Sequence, residues 1–301
     1  MEDGSRTIRL PQAIRQACAE ALAAGRPIGD TKAARVARIA IAVDGLNAIA
    51  ASLPDTYHWR FTTAEAFLVK LDACRAKRGG AKEVNALYWR DTVATMEAYM
   101  VMSVWRMVDI ADAALALVET DAIVPAAILA RSALESAVQF VHDARTMAAS
   151  LDHARTHDMA TVTVMSEELE KFLLQTVYAS RQTGTDPLYK SKNILTVIEK
   201  VAKVAKGDPI ASEYEMLCEL THPNFLGRSV YFAGVQPKEI PGDEVRLISH
   251  RNGVNADAVL QSTLWALSWA IERQASSTHL IQSAIGDLFG AFPFLTKRTI
   301  N

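Results

Sequence analysis

The chain has 301 residues, half of them hydrophobic, which is enough to bury a large core in one domain or two. Its net charge of −2 provides no overall basic surface for nucleic acid, so any RNA or nucleotide site must be a local patch. Cys18, Cys74 and Cys218 are widely spaced and form no CxxC, which argues against a disulfide framework or a cysteine zinc site and favours the reducing cytoplasm.

The N-terminal residues MEDGSRTIRLPQ contain early acidic residues and no apolar signal core, which disfavours secretion. Two later stretches, residues 92–118 and 122–141, are apolar enough to raise the question of a membrane. Both carry charged residues in mid-run, for example Arg106 and Arg131, and such charges are costly at the centre of a bilayer. We therefore expect buried helices of a soluble protein and no membrane contact.

Apolar residues recur at three- and four-residue spacing along most of the chain, which indicates helices. The predicted helices cover residues 8–24, 31–52, 62–77, 82–119, 121–147, 150–180, 189–206, 209–221 and 255–289. Asp30 or Thr31 is the expected cap of the second helix, and Thr62 or Thr63 that of the third. Whether 82–119 forms one helix or two is left open.

Two features interrupt the helical pattern. The segment KRGGAKE (77–83) predicts a joint, which would separate an N-terminal helical subdomain (1–78) from a main helical bundle (82–301). The strand-favouring segments SVYFAGV and EVRLIS flank QPKEIPGD, which predicts a β-hairpin near 229–250 within the main bundle. The predicted fold class is therefore an all-α multi-helix bundle with one β-hairpin.

Familiar catalytic and cofactor motifs are absent from the sequence: there is no GxSxG, no Walker loop and no GxGxxG after a strand. We therefore expect no cofactor. His153 and His157 lie one helical turn apart, a spacing that can hold a metal, but the sequence identifies no third ligand. A solvated helix face is the favoured interpretation, and no metal is expected.

Polar residues form a stripe on the predicted 121–147 helix. At about 100° per residue, Arg131, Glu135, Val138 and His142 fall within about 60° of each other, in line with the apolar Val124 and Ile128. A stripe of this kind usually faces inward, and a buried arginine needs a partner, for which Glu135 is the nearest candidate. A buried ion pair that fixes helix register is one interpretation. The other is a cleft where Arg131 receives a phosphate or carboxylate.

The stretch YEMLCELTHPN (214–224) places Tyr214, Cys218 and His222 at four-residue steps, and Pro223 ends the helix behind His222. A structural C-terminal cap is one interpretation of His222. In the functional alternative, His222 and Tyr214 meet Arg131 and Glu135, and the group performs acid–base chemistry without a metal.

LARSALESAV together with the later YEMLCELTHPN resembles uncharacterised bacterial helical proteins that share an Arg-x-x-x-Glu helix and a Tyr-x-x-x-(Ser/Cys)-x-x-x-His-Pro helix. These resemble in turn the HEPN (higher eukaryotes and prokaryotes nucleotide-binding) superfamily. The resemblance covers residues 129 to 224 and implies a dimeric, metal-independent ribonuclease of a toxin–antitoxin or phage-defence system. The superfamily's signature, an arginine followed after four to six residues by a histidine, has one formal match here, Arg273 and His279, which a regular helix would place ~240° apart.

Two functions follow as hypotheses. In the first, the protein is a ribonuclease in which His222 is the acid or base, Arg131 stabilises negative charge, and Glu135 and Tyr214 support them. In the second, the same residues form a structural polar lock in a non-catalytic binding or regulatory module. We expect a cytoplasmic homodimer in either case, with RNA or a nucleotide at a local site, or a protein partner, as the ligand.

Overall fold

The computed structural model describes residues 7–23, 32–59, 61–76, 80–222, 225–237, 244–249, 253 and 255–296. The fold is all-α, 75% helical, with one small antiparallel β-hairpin, which confirms the predicted fold class. Its helices are α1 (Gln12–Ala23), α2 (Lys32–Ser52), α3 (Ala64–Ala76), α4 (Ala81–Glu119), α5 (Ile123–Arg155), α6 (Glu167–Tyr178), α7 (Ile194–Val204), α8 (Ile210–Thr221), α9 (Phe225–Ser229) and α10 (Ala256–Ala291). The strands are β1 (Phe232–Pro237) and β2 (Glu244–Ile248).

The open question about residues 82–119 is answered by one uninterrupted helix, α4, of 39 residues. Its sequence contains neither glycine nor proline, so no residue inside it disfavours the helix. The helix ends at Glu119, and Asp121, two residues later, has a left-handed φ of 58°, while the N–H of Ala122 donates to the carbonyl of Leu117 at 2.9 Å. Aspartate tolerates this conformation better than most residues, so Asp121 can turn the chain directly into α5.

The helix boundaries after residue 147 differ from the prediction. The break expected at 148–149 is wrong, since α5 continues to Arg155 through alanine, methionine and leucine, which all favour helix. The chain leaves helix only at 156–166, where threonine and valine accumulate. The Ser166 hydroxyl then accepts from the N–H of Leu169 at 3.1 Å and starts α6.

Smaller differences also concern helix ends. The helix predicted over 189–206 begins at Ile194, because Pro187–Tyr189 form a separate 3₁₀ turn. The short helix α9 was not predicted. Thr63 caps α3, as proposed, through a 3.2 Å bond from the N–H of Ala66. Asp30 and Thr31 lie outside the described residues.

The structure divides into two compact units. Unit 1 comprises Met1–Leu53, Val104–Gln139 and Ile194–Ala275, and unit 2 comprises Pro54–Ser103, Phe140–Asn193 and Ser276–Asn301. Each of α4, α5 and α10 therefore contributes a segment to both units. The predicted joint at 77–83 stays a prediction, because residues 77–79 lie outside the described residues.

Each unit has its own apolar core of large, almost fully buried side chains. In unit 1 these include Ile39, Leu46, Met107, Leu115, Leu134 and Ile210. In unit 2 they include Trp89, Met96, Phe140, Met147, Leu151 and Met159. Burial of a single side chain of this size contributes roughly 1.5–3 kcal/mol.

One helix among the described residues, α5, is long and apolar enough by length and composition to cross a membrane. Core helices of soluble proteins meet the same criterion, and 44% of its most apolar window is buried inside the protein. This single helix is consistent with the expectation of a soluble protein.

The hairpin of unit 1 pairs β1 and β2 in antiparallel register, with Val235 opposite Arg246. A bulge lies between Phe232 and Gly234, where Gly234 has a φ of 153°. Beyond β2, Gly253 lies against the carbonyl group of Val230, and its own carbonyl accepts from the N–H of Ala256 at 3.0 Å, which starts α10. Gly253 therefore joins the hairpin to the last helix at a point of very close backbone approach.

The N-terminal segment of unit 1 is held by polar side chains. The N–H of Ile8 donates to Oδ1 of Asn47 at 2.8 Å, and Nδ2 of Asn47 donates to the carbonyl of Ile8 at 3.0 Å. Asp112 accepts from the backbone N–H of Arg9 at 2.8 Å and from its guanidinium at 2.7 and 3.2 Å. The hydrogen bond from the Arg9 guanidinium holds the pKa of Asp112 below its usual range.

Because this pKa is lowered by folding, the contribution of Asp112 to stability is present above about pH 4 and is lost as the pH falls through the folded value. Asp112→Asn should therefore increase amide exchange in residues 8–23 at neutral pH, as measured by hydrogen exchange and mass spectrometry. The difference from the wild type should shrink below about pH 4. A difference of constant size across that range would show that the ion pair does not hold the segment.

Candidate functional site

Arg131 lies at the centre of a polar network within unit 1 that joins α5 to α8. Its Nη1 donates to the hydroxyl of Thr221 at 2.8 Å. Its Nη2 lies 3.2 Å from Oε1 of Glu135 and 3.4 Å from the hydroxyl of Tyr214. The guanidinium carbon also lies over the Tyr214 ring, 5.5 Å from its centroid. The predicted ion pair of Arg131 with Glu135 is therefore present, and Arg131, Glu135, Tyr214 and Thr221 are called here the Arg131 network.

Tyr214 is the most deeply buried member of this network, with 5% of its surface exposed. Its hydroxyl donates to Oε1 of Glu135 at 2.9 Å. Burial raises the pKa of Tyr214 to about 12: the hydrogen bond from Arg131 lowers it, while those with Cys218 and Glu135 raise it further. Tyr214 is therefore protonated at neutral pH and acts as a hydrogen-bond donor to the carboxylate.

Arg131 itself is only partly buried, with 26% of its side chain exposed, and 31% of the Glu135 side chain is exposed. Its Nε is nevertheless buried and has no hydrogen-bond partner among the described residues. An unmatched buried donor costs roughly 1–3 kcal/mol, which reduces the net stabilisation that the Arg131 network provides.

The prediction that His222 belongs with Arg131 and Tyr214 is not met by this geometry. The His222 side chain is exposed, and no described contact joins it to Arg131. Its backbone has φ −84° and ψ 150°, so His222 has left the helix, although its N–H still donates to the carbonyl of Cys218 at 3.1 Å. The four-residue helical spacing from Tyr214 therefore stops at Cys218.

Thr221 takes the position that the sequence suggested for His222. It is the last residue of α8 and lies seven residues after Tyr214, which places both on one helix face. Pro223 was the signal that could have revealed this, because the residue before a proline is biased away from helix. The helical spacing that begins at Tyr214 therefore applies only as far as residue 221.

The polar stripe of α5 is not fully inward-facing, contrary to the prediction. Ile128 is 47% exposed, whereas Val138 is completely buried. The face of α5 that is fully buried in unit 1 consists mainly of small residues: Ala126, Ala127, Ala130, Ala133 and Ala137. Arg131 and Glu135 border this alanine face, which lets them reach α8 while keeping part of each side chain in water.

Two other predicted features can now be placed. The rings of His153 and His157 lie 5.0 Å apart, and no group of three or more metal-ligating side chains occurs in the described parts of the chain. Arg273 donates to Asp208 at 3.1 Å and lies over Trp269, so it has a structural role in unit 1. The ring of Trp269 also stacks on that of Trp265, with centroids 6.3 Å apart.

No protein-family model, curated protein or solved structure matches this chain. The HEPN resemblance and the activity it implies therefore stay predictions. The Arg131 network provides the geometric basis for a functional proposal.

Proposed function

We propose that this protein is a non-catalytic helical binding or regulatory module in which the Arg131 network is a structural lock between α5 and α8. The observation that supports this proposal most is the engagement of Arg131. Both of its terminal nitrogens already have partners within unit 1, namely Thr221 on one side and Tyr214 with Glu135 on the other. An incoming anion would compete with these internal bonds for the guanidinium.

The raised pKa of Tyr214 also supports a structural role. A general acid or base works best when its pKa lies near the working pH, and burial moves that of Tyr214 to about 12. The net charge of −2 is consistent with the absence of a broad nucleic-acid surface, since such surfaces are usually basic.

A double-mutant cycle tests the lock. Tyr214→Phe should lower the free energy of unfolding by about 1 kcal/mol and Arg131→Met by about 1–3 kcal/mol, because each leaves a partly buried partner unpaired. The double variant should lose less than the sum, with a coupling energy of about 0.5–3 kcal/mol. Urea denaturation followed by circular dichroism provides these values.

His222→Ala is the matched control from the same helix end. Because the His222 side chain is exposed, this substitution should change the free energy of unfolding by no more than about 0.5 kcal/mol. Strictly additive losses for Arg131→Met and Tyr214→Phe would contradict the lock, as would a loss at His222 as large as that at Arg131.

A metal-independent ribonuclease is the second candidate function. It is favoured by one observation: the exposed imidazole of His222 directly follows Thr221, which holds the Arg131 guanidinium. The test is RNA integrity in cells that express the wild type or His222→Ala, with folding of both checked by circular dichroism. RNA cleavage by the wild type and not by the folded variant would establish this function and overturn the non-catalytic proposal. A cytoplasmic location, a homodimer and a role in a defence or regulatory system stay predictions for either function.

A further inference from the structure

Unit 2 contains a cavity of about 860 Å³ that lies between α5 and the chain that follows it. One wall is the face of α5 that carries His142, Arg145, Ala149 and His153, and the opposite wall is residues 162–169. This volume lies within the range of roughly 300–1,000 Å³ typical of small-molecule sites. None of the lining residues belongs to the Arg131 network, so the inference made from this cavity goes beyond the proposed function.

The wall formed by residues 162–166 is fixed from behind by three side chains of α4. Asn85 donates to the carbonyl of Val162 at 2.7 Å and accepts from the N–H of Val164 at 2.8 Å. The indole N–H of Trp89 donates to the carbonyl of Val164 at 3.0 Å. The Tyr88 hydroxyl bonds both the N–H and the carbonyl of Ser166.

These bonds attach every second residue, 162, 164 and 166, to α4. The intervening Thr163 and Met165 are exposed and line the cavity. The wall is therefore built before any ligand arrives, and binding would not have to order it.

The cavity lining carries one arginine, Arg145, and this side chain is the one that can hold an anion. Arg145 is exposed and has no acidic partner among the described residues, so its permanent charge is available. Glu168 is the only acidic side chain in the lining, which also contains three histidines. An arginine in this position opposes a metal cation and matches a phosphate or carboxylate.

A second polar end lies just beyond the end of α5. Nδ1 of His157 is 3.1 Å from the carbonyl oxygen of His153, and because a carbonyl can only accept, Nδ1 is the protonated nitrogen. The neutral ring then has its lone pair on Nε2, which can accept a hydrogen bond. Arg145 lies ten residues before the end of α5 at Arg155, roughly 15 Å along the helix, and His157 follows two residues later, so that the two polar ends border an elongated space.

The space between these ends is bordered by apolar side chains and by the polar Thr146, Ser150 and His153. Ala149 and Ala154 line it from α5, and Val162, Met165 and Leu169 line it from the other wall. We propose that this cavity binds an elongated organic anion, a phosphate or carboxylate on a ring-sized apolar body, with the acid group held by Arg145.

Isothermal titration calorimetry on the full chain tests this proposal with three probes that share one ring system: 2-naphthyl phosphate, 2-naphthoate and the neutral 2-naphthol. At least one anion should bind at least tenfold more tightly than 2-naphthol, equivalent to about 1.4 kcal/mol. Tighter binding of the phosphate or of the carboxylate identifies the acid group that the cavity prefers. Equal affinity for all three probes, or binding of none of them at millimolar concentration, would overturn the proposal.

Two variants and one control locate the binding site. Arg145→Gln should weaken anion binding at least tenfold and leave 2-naphthol unchanged. Ala149→Trp should block all three probes, because Ala149 is an exposed residue of the cavity wall and an indole there, one helical turn from Arg145, would occupy the space that the naphthalene ring needs. Arg181→Gln, at an exposed arginine of the same unit outside the lining, should bind like the wild type. Anion affinity unchanged by both Arg145→Gln and Ala149→Trp would also overturn the proposal, since any binding would then occur elsewhere.

Discussion

Replacing Asn85 with alanine is expected to destabilise unit 2 by at least roughly 3 kcal/mol, because three backbone groups would each lose a partner at a cost of about 1–3 kcal/mol. Asn85 is completely buried and donates to the carbonyls of Met159 and Val162 while accepting from the N–H of Val164. A loss of this size is a large fraction of the 5–15 kcal/mol that stabilises a typical domain. Residues 156–166 have no regular secondary structure of their own, so their backbone depends on side-chain partners.

Hydrogen exchange and mass spectrometry would measure this effect, since amides of residues 159–166 should lose protection first. Asn85→Asp is an informative second variant, because it retains the oxygen that accepts from Val164 but not the amide donor. It should lose part or all of the amide protection that Asn85→Ala loses. Gln175→Ala, at a partly exposed position in α6, is the control and should stay within about 0.5 kcal/mol of the wild type. Unchanged protection of residues 159–166 in Asn85→Ala would show that these hydrogen bonds do not hold the segment.

Gly253→Ala should disrupt the connection between the hairpin and α10 in unit 1. A Cβ atom at this position would collide with the carbonyl carbon and oxygen of Val230 and would lie 3.3 Å from the backbone nitrogen of Tyr231. These are backbone atoms, which cannot rotate away as a flexible side chain would. We therefore expect a loss above the roughly 1–3 kcal/mol typical of overpacking, with faster amide exchange in β1 and β2.

Gly286→Ala is the matched control for this substitution. Gly286 lies on the exposed side of α10, and a Cβ there would have nothing within 4 Å. Alanine favours helix over glycine by about 1 kcal/mol, so this variant should be slightly more stable than the wild type. If the urea concentration at which half of Gly253→Ala is unfolded equals or exceeds that of the wild type, the close approach of Gly253 to Val230 does not exist in solution.

Most of the secondary structure could be predicted because its signals are local. Apolar spacing located the long helices, and two prolines and a glycine between strand-favouring segments located the hairpin. The end of α5 could not be placed in this way, because alanine-rich sequence gives no stop signal and the chain turns only where β-branched residues accumulate. The side chains that hold residues 156–166 lie more than 70 positions earlier, in α4, which no local pattern reveals.

The Arg131 network was partly predictable for the same reason. The pairing of Arg131 with Glu135 follows from one turn of helix, and Tyr214 was named as its companion. Thr221 was missed because the helical repeat was extended one residue too far, to His222. The cavity of unit 2 was missed because its walls form only when residues 162–169 fold back beside α5, so that His153 and His157 alone suggested a solvated face.

The division of α4, α5 and α10 between the two units has a consequence for how the protein is synthesised. Residues 1–53 belong with residues 194–275, which leave the ribosome about 220 positions later. At roughly 5–20 residues per second, the N-terminal helices would wait on the order of ten to forty seconds for these partners. During this interval the residues of α2 that later enter the core of unit 1, such as Ile39 and Leu46, would be open to chaperones and to other nascent chains.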